Sequence, residues 1–164
     1  ISDYGKDAGM STFYVKVGDR VSFSKTVSEF DVYSFAGITG DFSTNHVDEE
    51  VMKQSAYGQR IAHGALMVGF FSTCSTRMIE ACDGTAGDET PVSAGYDKIR
   101  FLAGVLFGDT IKFSYEIIEI DPVRRRSVAK VEAINQRGEL VAVAQHILRW
   151  VKNPSAGSEA LKQA

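Results

Sequence analysis

The spacing of apolar and polar residues changes at about Pro91. Beyond that residue, three segments alternate apolar and polar side chains with a period of two, which is typical of strands with one buried face. They predict an antiparallel meander with strands at 110–120, 127–136 and 140–151. The same alternation predicts strands at 21–27 and 92–102, the second with a bulge at Gly95.

Three helices are predicted in the first half of the chain. Ser28 is a typical helix N-cap with acidic residues after it, and it predicts a helix over 29–38 that ends near Gly40. A short helix is predicted over 49–56, and a long one over 62–81. Because the long helix carries almost no charge before its end, we expect protein to cover most of its surface.

The pattern as a whole predicts one α+β domain. A long uncharged helix beside several antiparallel strands is typical of a layer fold in which the sheet wraps the helix. A length of 164 residues suits a single domain, which we place at 18–151, with flexible segments at 1–17 and 152–164. The sheet would leave an exposed edge, so we expect a second copy to cover it in a homodimer.

Composition and charge exclude several classes of protein. Hydrophobic residues make up 44% and charged residues 24%, as in ordinary globular proteins. The net charge of −3 gives no field that attracts nucleic acid or an anionic membrane, and the weakly charged stretch 62–76 is too short to span a bilayer. Cys74 and Cys82 lie about 12 Å apart on the long helix, too far for a disulfide. Since no signal-peptide pattern opens the sequence, we expect a reducing, cytoplasmic environment.

Two segments concentrate the residues that could carry chemistry. The first, GDFSTNHVD at 40–48, has Asp41 and His46 five residues apart in a loop after a helix, where functional residues are common. The second, IAHGA at 61–65, starts the long helix, and the first turn of a helix offers free N–H groups that stabilise developing negative charge. A purely structural interpretation is also open. In it Asp41 caps a turn, His46 is a packed histidine, and Gly64 relieves crowding against the sheet.

Together the two segments resemble the MaoC-like hydratases, the family of (R)-specific enoyl-CoA hydratases and related dehydratases. The family motif Gly-Asp-x-Asn-Pro-aliphatic-His matches at Gly40, Asp41 and His46. An aliphatic-small-His-Gly motif matches at 61–64, at about the expected interval. The resemblance covers about residues 18–151 and includes two later segments, 98–101 and 108–110.

One stretch departs from the family pattern. Ser43-Thr44-Asn45 stands where the motif has Asn-Pro-aliphatic. In the family that Asn helps to hold the loop, so we expect the shorter Ser43 hydroxyl, or Asn45 from another direction, to hold it here. The replaced proline adjoins the acyl pocket, so the substrate preference need not be that of the better-known members.

The resemblance implies a hot-dog fold around the long helix and reversible syn addition of water to a trans-2-enoyl thioester. It implies that Asp41 is the principal base and that His46 orients the water or donates a proton. The Gly64 N–H would stabilise negative charge on the thioester oxygen. His63 would support the loop, and Ser72 falls where the family has a hydrogen-bonding serine. Coenzyme A enters as part of the acyl-CoA substrate, and no separate cofactor or metal is expected.

A few basic residues could meet the phosphates of coenzyme A. The run Arg124-Arg125-Arg126 follows a proline in a predicted turn, where a charge run is usually solvated. Lys53 and Arg60 are further candidates. His146 lies on a predicted strand among apolar neighbours, so we expect it to be a packed or interface residue.

Three alternatives stay open. Asp41, His46 and Asp48 could form a metal site of two carboxylates and one imidazole. A hot-dog thioesterase would release the free thiol of coenzyme A. A non-catalytic module would bind acyl-coenzyme A without turnover.

Overall fold

Five antiparallel strands form one sheet, and a long helix packs against its inner face. The computed structural model describes residues 13–85 and 87–154. The elements, in chain order, are β1 (Arg20–Thr26), α1 (Glu29–Thr39), α2 (Thr44–Val47), α3 (Glu49–Met52), α4 (Gly64–Ala81), β2 (Glu89–Phe101), β3 (Thr110–Asp121), β4 (Arg126–Ile134) and β5 (Leu140–Lys152). The strand order is β1-β3-β4-β5-β2, so β1 and β2 are the two edges. This arrangement confirms the predicted α+β layer.

One face of α4 forms the centre of the core. Met67, Phe71, Cys74 and Met78 recur at spacings of three and four residues, so they share a face, and all four are buried. They pack in one cluster with inward-facing residues of β3, β4 and β5. The opposite face carries small residues such as Ser72 and is exposed. Protein therefore covers only one face of α4 within a single chain, not most of its surface as the sequence predicts. No helix in 13–85 or 87–154 is long and apolar enough to cross a membrane.

Helix α1 begins and ends close to where the sequence predicts. The Asp31 amide donates to the Ser28 hydroxyl at 3.3 Å, and the Ser28 amide donates to the Asp31 carboxylate at 2.8 Å, which completes a capping box. At the other end Gly40 is left-handed, with φ of 78°, and its N–H donates to the Ala36 carbonyl. The chain therefore leaves α1 in a defined direction directly before Asp41.

The helical prediction between α1 and α4 is partly wrong. The helix expected over 49–56 ends at Met52, because the Ser55 hydroxyl and amide both donate to the Met52 carbonyl and close a turn. The short helix α2 was not predicted. It spans one turn, too short for a hydrophobic period to reveal.

Strand and helix limits also shift where polar side chains bind the backbone. The strand predicted over 127–136 ends at Ile134, because Asn135 Oδ1 accepts the amides of Arg137 and Glu139 and forms a turn. Helix α4 begins two residues later than predicted, because Ile61 forms a β-bridge with Leu106 and His63 has an extended backbone, with ψ of 131°. The bulge predicted at Gly95 is confirmed by a register shift there.

Most of the segments predicted to be flexible, 1–17 and 152–164, lies outside the described residues. Where the first is described, it packs. Val15 is buried, and the Phe13 ring lies edge-on to Trp150 with centroids 4.9 Å apart. The domain limits of 18–151 stay a prediction.

The two cysteines are both free. Cys74 is buried within α4, and Cys82 directly follows its last residue. Burial raises the pKa of the Cys74 thiol to about 12, so the reactive thiolate form is disfavoured.

A buried polar cluster lies between α4 and the sheet. His146 on β5 is fully buried, with Nε2 at 2.9 Å from Ser93 Oγ and Nδ1 at 2.9 Å from the Tyr115 hydroxyl. The Tyr96 ring lies 4.5 Å from the imidazole, centroid to centroid. Burial lowers the pKa of His146 from 6.5 to about 4. The expectation that His146 is a packed residue is confirmed.

Acid should destabilise the fold through His146. Its pKa is about 4 in the folded state and 6.5 in the unfolded chain, so the unfolded chain takes up the proton first and stability falls as the pH drops from 7 towards 4. Through this group alone, the free energy of unfolding should fall by about 2 kcal/mol between pH 7 and pH 5. Urea unfolding at both pH values measures this loss in the wild type and in His146→Gln, which cannot be protonated. Equal losses in the two proteins would contradict the assignment.

Candidate active site

Three hydrogen bonds tie the loop after α1 to the segment before α4. The Ile61 amide donates to the Asn45 carbonyl at 3.0 Å, and His46 Nδ1 lies 2.7 Å from the Ile61 carbonyl oxygen. His63 Nε2 lies 2.9 Å from the backbone carbonyl oxygen of Asp41. We refer to these three contacts as the loop brace. It brings together the two segments that the sequence singled out.

The loop brace determines which nitrogen of His46 is free. A carbonyl oxygen only accepts, so Nδ1 carries the proton in its bond to the Ile61 carbonyl. In the neutral ring Nε2 then has a free lone pair. Because only 9% of His46 is exposed, the ring is held in one orientation, with Nε2 available to a water or substrate.

Asp41 presents an exposed carboxylate beside this ring. Its side chain is 53% exposed, and Oδ1 accepts the Ser43 amide at 3.3 Å. A carboxylate oxygen of Asp41 and one ring nitrogen from each of His46 and His63 lie within 4.8 Å of one another. Two hydrogen bonds of about 2.8 Å from a single water span such a gap. The arrangement can therefore hold one water between carboxylate and imidazole.

His63 is placed to support this pair. It is 2% exposed, and its ring stacks on His46 with centroids 3.7 Å apart. The Phe35 ring lies tilted against it, with centroids 4.8 Å apart. Its Nδ1 is buried and has no hydrogen-bond partner within the described parts of the chain. The ring thus contacts the Asp41 backbone and His46 at once, which fits the structural role expected for it.

The loop is held by main-chain atoms rather than by the side chains expected from the sequence. Ser43 contributes its amide to Asp41 and its carbonyl to the His46 amide at 2.9 Å, and Asn45 contributes its carbonyl to the loop brace. Within the described residues, neither the Ser43 hydroxyl nor the Asn45 amide forms a hydrogen bond. Backbone groups of Ser43 and Asn45 therefore help to secure the turn that has Asn-Pro-aliphatic in the family motif.

Gly64 combines close packing with a free amide. A Cβ at this position would lie 2.6 Å from Cδ2 of Phe101, closer than any side chain allows. Gly64 is also the first residue of α4, where backbone N–H groups have no partner inside the helix. Both interpretations of this glycine are thus compatible, since crowding by Phe101 requires it and its amide remains available.

A cavity of about 190 Å³ adjoins these groups. His46, His63 and Gly64 line it on one side, and apolar residues line the rest: Ile61, Ala62, Met67, Phe101, Leu102, Ala103, Val105 and Val141, with Tyr57 and Gly104. Ser72 is not among the lining residues and lies two turns along α4 on its exposed face. Its supporting role stays a prediction.

The basic residues considered for coenzyme A lie in three places. Lys53 is exposed and pairs with Glu50 at 2.7 Å. Arg60 lies next to the site but is occupied, because Nη1 pairs with Glu29 at 2.7 Å and Nε with Glu49 at 3.0 Å. Arg60 therefore connects α1 and α3 to the segment before α4.

The arginine run is remote from the cavity of its own chain. Arg126 lies opposite Arg149 on β5, whereas the cavity contacts Val141 on the same strand. Eight residues of strand separate those β5 positions by about 26 Å. The run at 124–126 therefore cannot line the site in the same chain.

The metal site considered from the sequence is not formed. Asp48 Oδ1 accepts the Val51 amide at 3.0 Å and caps α3. His63 takes the place of Asp48 in a possible ligand set with Asp41 and His46. A zinc-bound imidazole has its ring centroid about 3.2 Å from the ion, so the centroids of two rings on one tetrahedral ion lie about 5 Å apart. The observed stacking at 3.7 Å disfavours shared coordination.

Comparison with known proteins assigns the family. The family described as MaoC like domain matches residues 14–137. An (R)-specific enoyl-CoA hydratase of Rhodospirillum rubrum is 32% identical over 111 residues, which cover 68% of this chain and 72% of that protein. The chain belongs to the MaoC-like family.

Two further MaoC-like comparisons agree. A 3-hydroxybutyryl-CoA dehydratase of Methylorubrum extorquens is 30% identical over 113 residues, 69% of this chain and 67% of that protein. The structure of an (R)-hydratase of Aeromonas caviae superposes with a TM-score of 0.70 at 21% identity, covering 85% of this chain and 98% of that one. The predicted hot-dog fold is confirmed. The prediction that the chain is an enzyme of the MaoC-like hydratase and dehydratase class is confirmed as well.

Sequence reasoning missed two contributors to the site. The Ile61 carbonyl sets the tautomer of the neutral His46 ring, yet a backbone atom cannot be recognised from residue type. Phe101 packs on Gly64 from the end of β2. The glycine indicates close packing, and the resemblance includes segment 98–101, but neither predicts that Phe101 contacts Gly64.

Gly64→Ala should destabilise the protein. The new methyl group would overlap Cγ and Cδ2 of Phe101, and overpacking of this kind typically costs about 1–3 kcal/mol. Gly37→Ala in α1 is the matched control, because its Cβ meets open space and alanine favours a helix by up to about 1 kcal/mol. Thermal unfolding of both variants tests this. A Gly64→Ala protein as stable as Gly37→Ala would contradict the packing.

Proposed function

We propose that this protein catalyses the reversible syn hydration of a trans-2-enoyl-CoA, or a related enoyl thioester, to the (R)-3-hydroxyacyl thioester. The observation that carries the proposal is the Asp41 carboxylate next to the His46 ring. That ring lines a small, largely apolar cavity, and its Nδ1 is bound to the Ile61 carbonyl, which leaves Nε2 free. The relatives from Rhodospirillum rubrum and Methylorubrum extorquens are named an (R)-specific enoyl-CoA hydratase and a 3-hydroxybutyryl-CoA dehydratase, and these names support the same reaction in its two directions.

Water is a poor nucleophile, so it must lose a proton as its oxygen bonds to C3 of the enoyl group. Asp41 takes that proton, while His46 Nε2 accepts the second hydrogen of the same water and orients it. Electron density moves from the double bond to the thioester oxygen, where the Gly64 N–H donates a hydrogen bond. The acid–base pair then returns a proton to C2 on the same face, which gives syn addition.

The substrate supplies its own coenzyme A, so the reaction requires no further cofactor. The two free thiols fit a reducing compartment, and we infer a cytoplasmic role in fatty acid metabolism. Two other functions must be distinguished from hydration: a thioesterase and a non-catalytic module that binds acyl thioesters. The first releases free thiol, and the second binds without turnover.

We also infer a homodimer. Strand β2 is thirteen residues long and is an edge strand, so one side of its backbone has no strand partner among residues 13–85 and 87–154. Val92, Phe101 and Leu102 expose 39%, 51% and 54% of their surface along this part of the chain. Pairing of two β2 edges about a two-fold axis would satisfy the backbone groups and cover such side chains.

Asp41→Asn and His46→Asn should each reduce hydration by about 10²–10⁴-fold, the usual contribution of a positioned acid–base group. Because both groups hold one water, the double variant should be hardly slower than either single one. The decrease in absorbance of a conjugated enoyl-CoA measures the rate.

Asp48→Asn is the matched control for this series. Asp48 only caps α3, and asparagine is as good an N-cap, so the rate should stay within about threefold of the wild type. Turnover by Asp41→Asn at the control's rate, with unchanged thermal unfolding, would exclude the mechanism.

Light scattering at micromolar concentration should give twice the chain mass of 17.9 kDa. Replacing Val92 by Lys or Pro in the β2 edge should shift the population towards monomer, since charge and proline both block strand pairing. A wild type that is monomeric at this concentration would contradict the dimer.

A further inference from the structure

The mechanism above uses only one side of the cavity. His46, His63 and Gly64 line that side, and the remaining lining residues are apolar except Tyr57. A lining of this kind suits hydrocarbon, because burial of apolar surface is favourable and a polar group without a partner is costly there. With the thioester oxygen at the Gly64 N–H, the acyl chain of the substrate therefore points into the cavity.

Tyr57 forms the outer wall of this cavity. Its ring packs so closely on Gly104 that a Cβ there would lie 2.8 Å from Tyr57 Cε1 and 3.2 Å from Ile61 Cγ2. The φ of Gly104 lies outside the left-handed region, so the approach of these side chains, not the backbone, requires glycine. Tyr57 is nevertheless 52% exposed. One side of the residue therefore lines the cavity, and the rest faces solvent.

The inner wall is part of the hydrophobic core. Met67, Val105 and Val141 line the cavity, are buried and belong to the core cluster, so this wall cannot recede without loss of stability. Phe101 packs on Gly64 and borders the reacting end. Among the residues that the structure describes, Tyr57 is not a member of the core cluster. It is therefore the wall that can limit an acyl chain without supporting the fold.

The volume of the cavity restricts the length of that chain. The cavity measures about 190 Å³, and an apolar cavity of about 150 Å³ holds one benzene molecule, which has six carbon atoms. Because the cavity here is only slightly larger, it accommodates an acyl chain of about six carbons. A longer chain has to displace Tyr57 or leave its end in water.

Building on the proposed function, we propose that the substrates are short-chain enoyl thioesters of about four to six acyl carbons, and that Tyr57 is the residue that sets the upper limit. The reacting end rests on the proposed hydration, whereas the length limit rests on the cavity and its outer wall. Replacement of Tyr57 by alanine opens that wall, and the end of a longer chain then passes outwards, since solvent lies directly behind the ring.

The first experiment measures binding and requires no turnover. Calorimetry gives the Kd of saturated acyl-CoA esters with four, six, eight and ten carbons, which have no double bond to hydrate. In the wild type, each CH₂ up to about six carbons should tighten Kd about fourfold. Further carbons should weaken binding by about tenfold or more, because they overpack the cavity.

Variants of Tyr57 test which wall sets this limit. In Tyr57→Ala, binding should not weaken beyond six carbons, whereas Tyr57→Phe keeps the ring and should keep the limit. A wild-type Kd that tightens steadily up to ten carbons, or an unchanged limit in Tyr57→Ala, would overturn the proposal. Tyr57→Leu, which also removes the ring, gives the same test if thermal unfolding shows that the alanine variant is unfolded at the assay temperature.

Phe30→Ala is the matched control. Phe30 is an exposed aromatic residue on α1 and does not line the cavity, so this variant should have the wild-type Kd for every ester. A longer limit in Phe30→Ala as well as in Tyr57→Ala would contradict the assignment to Tyr57.

The second experiment repeats the series with trans-2-enoyl-CoA esters and separates this proposal from the proposed function. In Tyr57→Ala, the ratio of kcat/KM for the eight-carbon ester to that for the four-carbon ester should rise about tenfold or more, and an unchanged ratio would overturn the role of Tyr57. A wild type that hydrates no ester but shows the six-carbon limit in calorimetry would refute the proposed function and support the limit. A wild type that hydrates esters of every length with similar kcat/KM would support the proposed function and overturn the limit.

Discussion

The site depends on the hydrogen bond between His46 Nδ1 and the Ile61 carbonyl. It fixes the tautomer of a buried imidazole and leaves the second nitrogen as an acceptor. The Asp41 carbonyl is held in the same way by His63, and the two rings stack. Hydrogen bonds between imidazole rings and backbone carbonyls of two separate segments thus position the carboxylate and the imidazole.

The sheet makes that arrangement possible. Packing of α4 against the strands places the first turn of the helix at the sheet's end, where Phe101 closes over Gly64. Arg60 then ties α1 and α3 to the segment before α4 through Glu29 and Glu49. The hydrophobic core and a few ion pairs therefore hold the loop in place, although neither touches the reacting atoms.

Much of the fold was accessible from the sequence, because alternation and caps are local signals. Ser28 and Gly40 predict both ends of α1, and the alternation after Pro91 predicts four strands within a few residues of their limits. The pair Asp41 and His46 was recognisable from its motif. The loop brace and the opposition of Arg126 and Arg149 were not, since backbone acceptors and strand register leave no trace in residue type. Asn45 holds the loop from another direction, through its carbonyl, whereas the Ser43 hydroxyl forms no hydrogen bond among the described residues.

The most direct test of the account is the stereochemical course of the reaction in deuterium oxide. Wild-type protein should be incubated with trans-2-enoyl-CoA esters of increasing chain length, and the product analysed by proton NMR and chiral chromatography. The account predicts an (R)-3-hydroxyacyl-CoA with one deuterium at C2, on the face that received the hydroxyl group. An enoyl absorbance that stays unchanged with every ester, or a product that is free thiol and carboxylic acid, would contradict it.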